Sequence, residues 1–153
     1  MKLLKTIIIF LILNFGALGI GSWLMNNGPQ TAWYINLNQA PWTPPGWVFG
    51  AAWTTIMICF SIYMAFLVLK NSSREVKVLF FIQWILNVSW NYIFFNEHMV
   101  GLGLVVIVAL TIIVGLFLIR YKTELKTKSL LILPYFVWLC IATSLNGYIF
   151  LNN

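Results

Sequence analysis

Tryptophan is the residue type best suited to ligand binding or redox chemistry in this sequence, which has eight among its 153 residues. An indole offers a ligand a flat apolar wall and one N–H donor. Residues three and four apart lie on one side of a helix, and by that spacing several tryptophans share a face with neutral amides. The faces on the second, third and fifth long apolar segments are, respectively, Gly46, Gly50, Trp53 and Met57; Gln83, Asn87, Trp90, Asn91 and Phe94; and Tyr135, Trp138, Ala142, Asn146 and Ile149.

These faces predict a shared pocket, because uncharged amides within apolar helices should point to the inside of a bundle. Aromatic walls with a few neutral donors and acceptors suit a large, planar, mostly apolar ligand with polar edges. An alternative interpretation remains for each amide taken alone. Gln83, Asn87, Asn91 and Asn146 could simply hydrogen-bond between helices, each pair contributing about 0.6–2 kcal/mol.

Ionisable residues are absent where coupled transport would need them. No Asp, Glu, Lys or Arg lies inside the long apolar segments, whereas ion-coupled transporters generally use such groups within the membrane. The one histidine, His98, falls in a short turn and is interpreted as an interfacial residue without a catalytic task. There is no metal-ligand cluster, hydrolase constellation or phosphate-binding loop. We therefore expect no pump, no metal and no covalently bound cofactor.

Five apolar segments must position these residues. Hydrophobic residues make up 61% of the chain and charged residues only 8%, against about 25% charged in soluble domains. Each segment reaches the roughly 20 residues that a helix needs to cross a bilayer. The predicted fold is an all-α integral membrane protein, a single domain over 1–153 with five transmembrane helices. The predicted helices are about 6–25, 46–69, 78–95, 100–119 and 129–151.

The basic residues predict the orientation. All nine Lys and Arg fall before the first segment, between the second and third, or between the fourth and fifth. Cytoplasmic loops carry such an excess, so we expect the N-terminus inside and the C-terminus outside. The net charge of +6 is therefore read as membrane anchoring, and nucleic acid is not an expected partner.

Four local features complete the outline. The polar-aromatic connection 26–43 is expected to fold onto the helix ends as a partial lid, the alternative being an interfacial aromatic belt. Thr43 is expected to cap the second helix, with Pro44 and Pro45 in its first turn. Pro134 is expected to kink or widen the fifth helix. The first segment also resembles a signal peptide, but its length favours a retained helix.

Three motifs follow one another along the chain. The first consists of Trp33-Tyr34 and Pro41-Trp42-Thr43-Pro44-Pro45-Gly46-Trp47-Val48-Phe49-Gly50, followed by Trp53. The second is Leu86-Asn87-Val88-Ser89-Trp90-Asn91-Tyr92-Ile93-Phe94-Phe95. The third is Pro134-Tyr135-Phe136-Val137-Trp138 with Ala142-Thr143-Ser144-Leu145-Asn146. In this order the motifs resemble those of the translocator protein (TspO/MBR, tryptophan-rich sensory protein) family.

The resemblance implies a five-helix bundle, often a homodimer, that binds porphyrins such as protoporphyrin IX and also isoquinoline carboxamide and benzodiazepine-type ligands. It further implies links to stress responses and to light-dependent porphyrin breakdown, for which Trp53 and Trp138 are the redox candidates. The ligand-binding residues expected from the motifs and faces are Tyr34, Pro44, Gly50, Trp53, Asn87, Trp90, Asn91, Tyr135, Trp138, Ala142 and Asn146.

Three functions stay open at this point: a tetrapyrrole-binding sensor or carrier, a light-dependent porphyrin-degrading enzyme, and a passive transporter of small solutes, lipids or sterols. The sterol motif of animal members needs a basic residue soon after a tyrosine, whereas Tyr148 is followed only by Ile-Phe-Leu-Asn-Asn. Sterol transport is therefore not expected. The basic N-terminus suits a bacterial plasma membrane.

Overall fold

Five long helices form the protein in a computed structural model that describes all 153 residues. All five are long and apolar enough to cross a membrane, and the chain has no strand. This confirms the predicted all-helical architecture and the number of spans. The long helices are α1 (Lys2–Leu24), α2 (Gly46–Lys70), α3 (Arg74–Asn91), α4 (Val100–Arg120) and α5 (Leu133–Asn152).

Short helical elements fill the connections. Between α1 and α2 the loop contains a 3-10 turn (Gly28–Gln30) and one α-helical turn (Ala32–Ile35). A π-helical turn (Tyr92–Asn96) continues α3. An α-helical turn (Lys122–Leu125) and a 3-10 segment (Lys126–Ile132) lead from α4 into α5.

The two ends of the bundle differ in charge. The helix bounds bring all nine Lys and Arg to one end, which we call the basic end. The opposite end carries the connection 26–43 and is called the loop end. At the basic end Arg120 pairs with Glu75 at 2.8 Å. This grouping is the one that the orientation prediction needs, although the side of the membrane on which each end lies stays a prediction.

The half of the bundle next to the basic end is closely packed. Phe60, which is fully buried, packs edge-to-face against Phe117 and Tyr135 at ring distances of 6.0 and 5.2 Å. The Tyr63 hydroxyl donates to the backbone oxygen of Phe117 at 2.9 Å. Edge-to-face aromatic packing fills space efficiently, so this half is solid and any large cavity must lie towards the loop end.

The start of α2 corrects one sequence prediction. The helix begins at Gly46 with Pro45 before it and without a side-chain cap, so Thr43 does not cap it. Instead the Thr43 amide closes a turn by donating to the Ala40 oxygen at 2.9 Å. The cause is steric: a residue that precedes proline is disfavoured in the helical region. Thr43 and Pro44 both precede a proline, so neither belongs to the helix.

Pro134 also lies differently from the prediction. The α-helix starts at Leu133, which places Pro134 in the first turn rather than in the helix interior. The residues before it form the 3-10 segment. A first-turn amide has no helical partner in any case, so Pro134 lies at the junction where the 3-10 segment passes into α5.

Candidate functional site

A cavity of about 590 Å³ lies in the loop half of the bundle, between α1, α2, α3 and α5 and beneath the loop 26–43. It collects residues that are far apart in sequence, as the helix faces predicted. Of the eleven residues predicted to bind a ligand, all but Tyr135 line it. The ten are Tyr34, Pro44, Gly50, Trp53, Asn87, Trp90, Asn91, Trp138, Ala142 and Asn146.

Tyr135 lies below the cavity and is not among the residues that line it. It is 0% exposed, and its hydroxyl accepts a hydrogen bond from Gln83 Nε2 at 2.7 Å. Tyr135 precedes Trp138 by three residues, which puts it about 4.5 Å closer to the basic end on the same helix face. It supports the cavity from beneath, because its ring packs edge-to-face against Trp53 at 5.9 Å.

Two tryptophans form the aromatic walls near the closed end of the cavity. Trp138 is 7% exposed and packs edge-to-face on Phe49 at 5.3 Å. Trp53 rests on Tyr135. Both indoles line the cavity, and neither Nε1 donates a hydrogen bond within the protein, whereas Trp90 Nε1 donates to Asn146 Oδ1 at 3.1 Å. The walls therefore offer two N–H donors to a ligand.

The amides divide into structural and free groups. Asn146 is fully engaged, since it accepts from Trp90 and donates through Nδ2 to the Val100 oxygen at 3.2 Å. Asn91 Nδ2 makes a long contact of 3.4 Å with the Asn87 backbone oxygen. The Asn91 amide also lies against Gly21, because a Cβ added to Gly21 would be 2.7 Å from Asn91 Nδ2. Interhelical tethering, the alternative considered for each amide, thus describes Asn146 and also Gln83.

Asn87 is the amide left without a protein partner. It is 6% exposed, lines the cavity, and its side chain makes no hydrogen bond in the structure. Its Oδ1 and Nδ2 are not among the fully buried side-chain atoms without a partner, which are Gln83 Oε1 and the Tyr121 hydroxyl, so the amide reaches the open space of the cavity. Nine-tenths buried and directed at the cavity, this amide is placed to donate to and accept from a bound molecule.

The loop 26–43 closes the cavity from above and is ordered, as predicted. Trp33 stacks on His98 with ring centroids 4.0 Å apart. Tyr34 packs on Phe95 at 5.2 Å, and its burial raises the pKa of its hydroxyl. At this site Gly28 must be glycine, because a Cβ would lie 2.4 Å from the Phe95 side chain. His98 is not among the cavity-lining residues and contributes to the lid by stacking.

The end of the loop is fastened to the C-terminal part of α5. Asn153 Oδ1 accepts from the Asn38 amide at 2.8 Å, and Asn153 Nδ2 donates back to the Asn38 oxygen at 3.3 Å. Trp42 Nε1 donates to Ser144 Oγ at 3.1 Å. These contacts join segments more than 100 residues apart and hold the lid in place.

The cavity is electrically neutral. None of its 25 lining residues is Asp, Glu, Lys, Arg or His. No group of three or more His, Cys, Asp or Glu in the chain could hold a metal ion. The lining offers aromatic contact and neutral hydrogen bonds, which suits binding of an uncharged, flat surface rather than acid–base chemistry.

Several lining residues were not predicted. They are of two kinds: apolar residues that complete the walls, and small polar residues near the rim. Phe49 was visible in the first motif, next to Gly50, but nothing in its spacing distinguished it from neighbouring apolar residues. The polar residues include Ser22 on α1, Thr54 on α2 and Gln39 in the loop.

Comparison with known proteins agrees with the arrangement of these motifs. A model of the TspO/MBR family matches residues 8–151. The chain is similar to the tryptophan-rich protein TspO of Archaeoglobus fulgidus, at 35% identity covering 100% of this chain and 97% of the relative. It is similar to protein CrtK of Rhodobacter capsulatus at 32% identity (75% and 74% covered). It is also similar to the human translocator protein at 26% identity (83% and 78% covered).

Proposed function

Because this chain belongs to the TspO/MBR family, a family of multi-pass membrane proteins, we propose that it binds a tetrapyrrole such as protoporphyrin IX and acts as a sensor or carrier. The relatives' names, which include a tryptophan-rich sensory protein and a translocator protein, agree with either role. The basic end is proposed to face the cytoplasm across a bacterial plasma membrane, by the charge rule for cytoplasmic loops.

The observation that carries the proposal is the free Asn87 amide in a neutral, tryptophan-walled cavity. A macrocycle presents two flat apolar faces and a polar centre of ring nitrogens. Trp53 and Trp138 supply flat surfaces, and their unpaired indole N–H groups with the Asn87 amide supply the matching hydrogen bonds. The volume, about 590 Å³, lies within the range of about 300–1,000 Å³ usual for small-molecule sites.

The absence of charged residues from the cavity lining also determines the orientation of such a ligand. Protoporphyrin carries carboxylates on one edge, and no cation lines the cavity to pair with them. Burying an unpaired carboxylate is strongly unfavourable. The carboxylate edge is therefore proposed to stay at the rim, with the apolar edge directed towards Trp138.

The closely packed basic half supports binding over passive transport. A transporter of small solutes needs a continuous path, but below Trp53 the bundle is filled by buried side chains such as Tyr135 and Phe60. The cavity is closed at that end, so a ligand that enters must leave on the same half of the membrane unless the helices rearrange.

Titration of the purified protein in lipid nanodiscs with free-base protoporphyrin tests the proposal. The parent protein is expected to bind one equivalent, and an isoquinoline carboxamide is expected to displace it. Ala142→Phe fills the cavity from α5 and is expected to weaken binding by at least about tenfold, since the ligand would lose its aromatic contacts. Ala51→Phe places the same side chain on an exposed position of α2 outside the cavity and should leave binding unchanged.

A parent protein without saturable porphyrin binding would refute the proposed function. So would equal binding by Ala142→Phe and Ala51→Phe, because the porphyrin would then occupy a different part of the protein.

Light-dependent degradation of the bound porphyrin is a second candidate activity, favoured by the unpaired Trp138 indole at the cavity wall. In that reaction the excited porphyrin transfers energy or an electron to dioxygen, and the adjacent indole exchanges an electron with the porphyrin reversibly, so that the indole is not consumed. Dioxygen is the oxidant that breaks the macrocycle, and it is reduced as the ring is oxidised. Trp53 is the second indole placed to take part.

A further inference from the structure

One side of the cavity is open to the outer surface of the bundle between α1 and α2. Ser22 on α1 and Gly50 and Thr54 on α2 line the cavity and are also solvent-exposed. The opposite wall differs, since Trp138 and Ala142 on α5 line the same cavity and are buried. The exposed residues therefore mark a gap in the wall.

The gap lies at membrane depth. Gly50 and Thr54 are four and eight residues into α2, which at the rise of an α-helix places them about 6 and 12 Å below the helix start. Trp47, 75% exposed, stands beside that start, where tryptophan usually marks the membrane interface. A gap reaching from there down to Thr54 faces the acyl chains of the bilayer rather than water.

The packing of α1 explains why the gap exists. Midway along the helix, Asn14 Nδ2 donates to Ser61 Oγ at 2.8 Å and ties α1 to α2. α1 also contacts α3 midway, where Trp84 Nε1 donates to the Leu13 oxygen at 2.9 Å, and near the loop end, where Gly21 packs directly against the Asn91 amide. On α2, a Cβ added at Gly50 would meet no other atom within 4 Å. Above the Asn14–Ser61 hydrogen bond no side-chain hydrogen bond joins α1 to α2, so the two helices are tied together below the gap and not beside it.

Unlike the gap between α1 and α2, the route into the cavity from the water above the loop end is closed. The loop 26–43 is fastened by the Asn38–Asn153 pair and by the Trp42–Ser144 hydrogen bond. Opening it would break these contacts and expose aromatic surface. The side gap needs no such rearrangement.

We infer that the ligand enters and leaves the cavity from within the bilayer, through the gap between α1 and α2, with Ser22 and Thr54 on either side. This rests on the proposed function, because it concerns access to the same cavity in which the unpartnered Asn87 amide lies. A porphyrin dissolves in lipid, so the membrane itself is the reservoir from which the protein takes it. The carboxylate edge trails at the rim beside the start of α2.

The rates of porphyrin exchange test this route. Protoporphyrin is preloaded into vesicles, and its transfer to and from the protein in proteoliposomes is followed by fluorescence. Thr54→Trp places a large side chain in the gap and is expected to slow association by about tenfold or more, because the ligand must pass this side chain to enter. A gate affects both rates equally, whereas a lost contact affects mainly dissociation.

Thr55→Trp is the matched control. Thr55 is the next residue of α2, is also exposed, and makes the same hydroxyl-to-backbone hydrogen bond, to Ala51 at 2.9 Å against 2.8 Å from Thr54 to Gly50. It does not line the cavity, so its exchange rates should equal those of the parent. Ser22→Leu obstructs the gap from α1 and provides a second variant if Thr54→Trp does not fold.

Unchanged association rates in both gap variants would overturn the inference while leaving the proposed function intact. Faster exchange in Asn153→Ala, which loosens the loop, together with normal exchange in the gap variants would overturn it in favour of access from above. Absence of porphyrin binding by the parent would overturn the proposed function and this route with it.

Discussion

Replacing Asn87 with leucine is expected to stabilise the free protein and to weaken ligand binding at the same time. Asn87 is 6% exposed and makes no side-chain hydrogen bond. Leucine has a similar size and needs no partner. The two effects have opposite signs because the Asn87 side chain is proposed to form a hydrogen bond only when a ligand is bound.

The magnitudes follow from the hydrogen bonds. An unpaired polar group costs about 1–3 kcal/mol when it is closed off from solvent, whereas the Asn87 amide reaches the cavity. The cavity is open on one side, so we expect the gain in free energy of unfolding to be near the lower end, about 1 kcal/mol. One lost neutral hydrogen bond to the ligand should weaken binding by about 1 kcal/mol, or roughly fivefold.

Asn146→Leu is the matched control on the facing helix. It removes two interhelical hydrogen bonds, from Trp90 Nε1 and to the Val100 oxygen. At about 0.6 kcal/mol each in a membrane protein, and with the Trp90 N–H left unpaired, the free energy of unfolding should fall by about 1–2 kcal/mol. The same amide-to-leucine change thus has opposite effects at the two positions.

Thermal unfolding in one detergent, followed by circular dichroism, measures the first effect. For a chain of this size 1 kcal/mol moves the midpoint by about 2–4 °C, so the two variants should lie on either side of the parent. Porphyrin titration measures the second effect. An Asn87→Leu protein destabilised as much as Asn146→Leu would show that Asn87 is a tether between helices, and an unchanged porphyrin affinity would show that it does not contact the ligand.

Three further outcomes are expected. Tags within 26–43 or after Asn153 should label from outside intact cells and tags within 71–75 should not; the reverse pattern would invert the orientation. Free-base protoporphyrin should bind at least as tightly as haem, because no histidine lines the cavity to ligate iron; a histidine-ligated haem spectrum lost on His98→Ala would contradict this. Trp138→Phe should weaken porphyrin binding by only about 1 kcal/mol but sharply reduce light-driven degradation per bound porphyrin; equal degradation would leave Trp138 as a wall.

The composition and the spacing of apolar residues determined the five helices. Runs of about 20 residues without charge can satisfy their backbone in lipid only as helices, and the nine basic residues had to gather at one end once the number of spans was known. Periodicity also determined which residues share a face. Eight of the ten predicted residues that line the cavity lie on those faces, whereas Tyr34 and Pro44 were predicted from the loop motif.

Local geometry explains the errors near the prolines. The sequence rule that prolines suit a first helical turn was applied to Pro44 and Pro45, but two successive prolines also restrict the residue before each of them. Because Pro44 precedes Pro45, it is disfavoured in the helical region, and α2 starts at Gly46. At Pro134 the first-turn rule held, and the residue lies where the 3-10 segment passes into α5.

Only the tertiary structure decided the depth and the partner of each polar residue. A helical face fixes direction around the axis, but Tyr135 and Trp138 share a face and differ in that Tyr135 is closed off below the cavity. Asn87 and Asn146 look alike in sequence, yet the partners of Asn146 lie 46 and 56 residues away along the chain. Hydrogen bonds at that separation depend on how the helices pack, which periodicity does not specify. The same is true of the gap between α1 and α2, because it depends on where along their length the two helices are tied together, at the Asn14–Ser61 hydrogen bond.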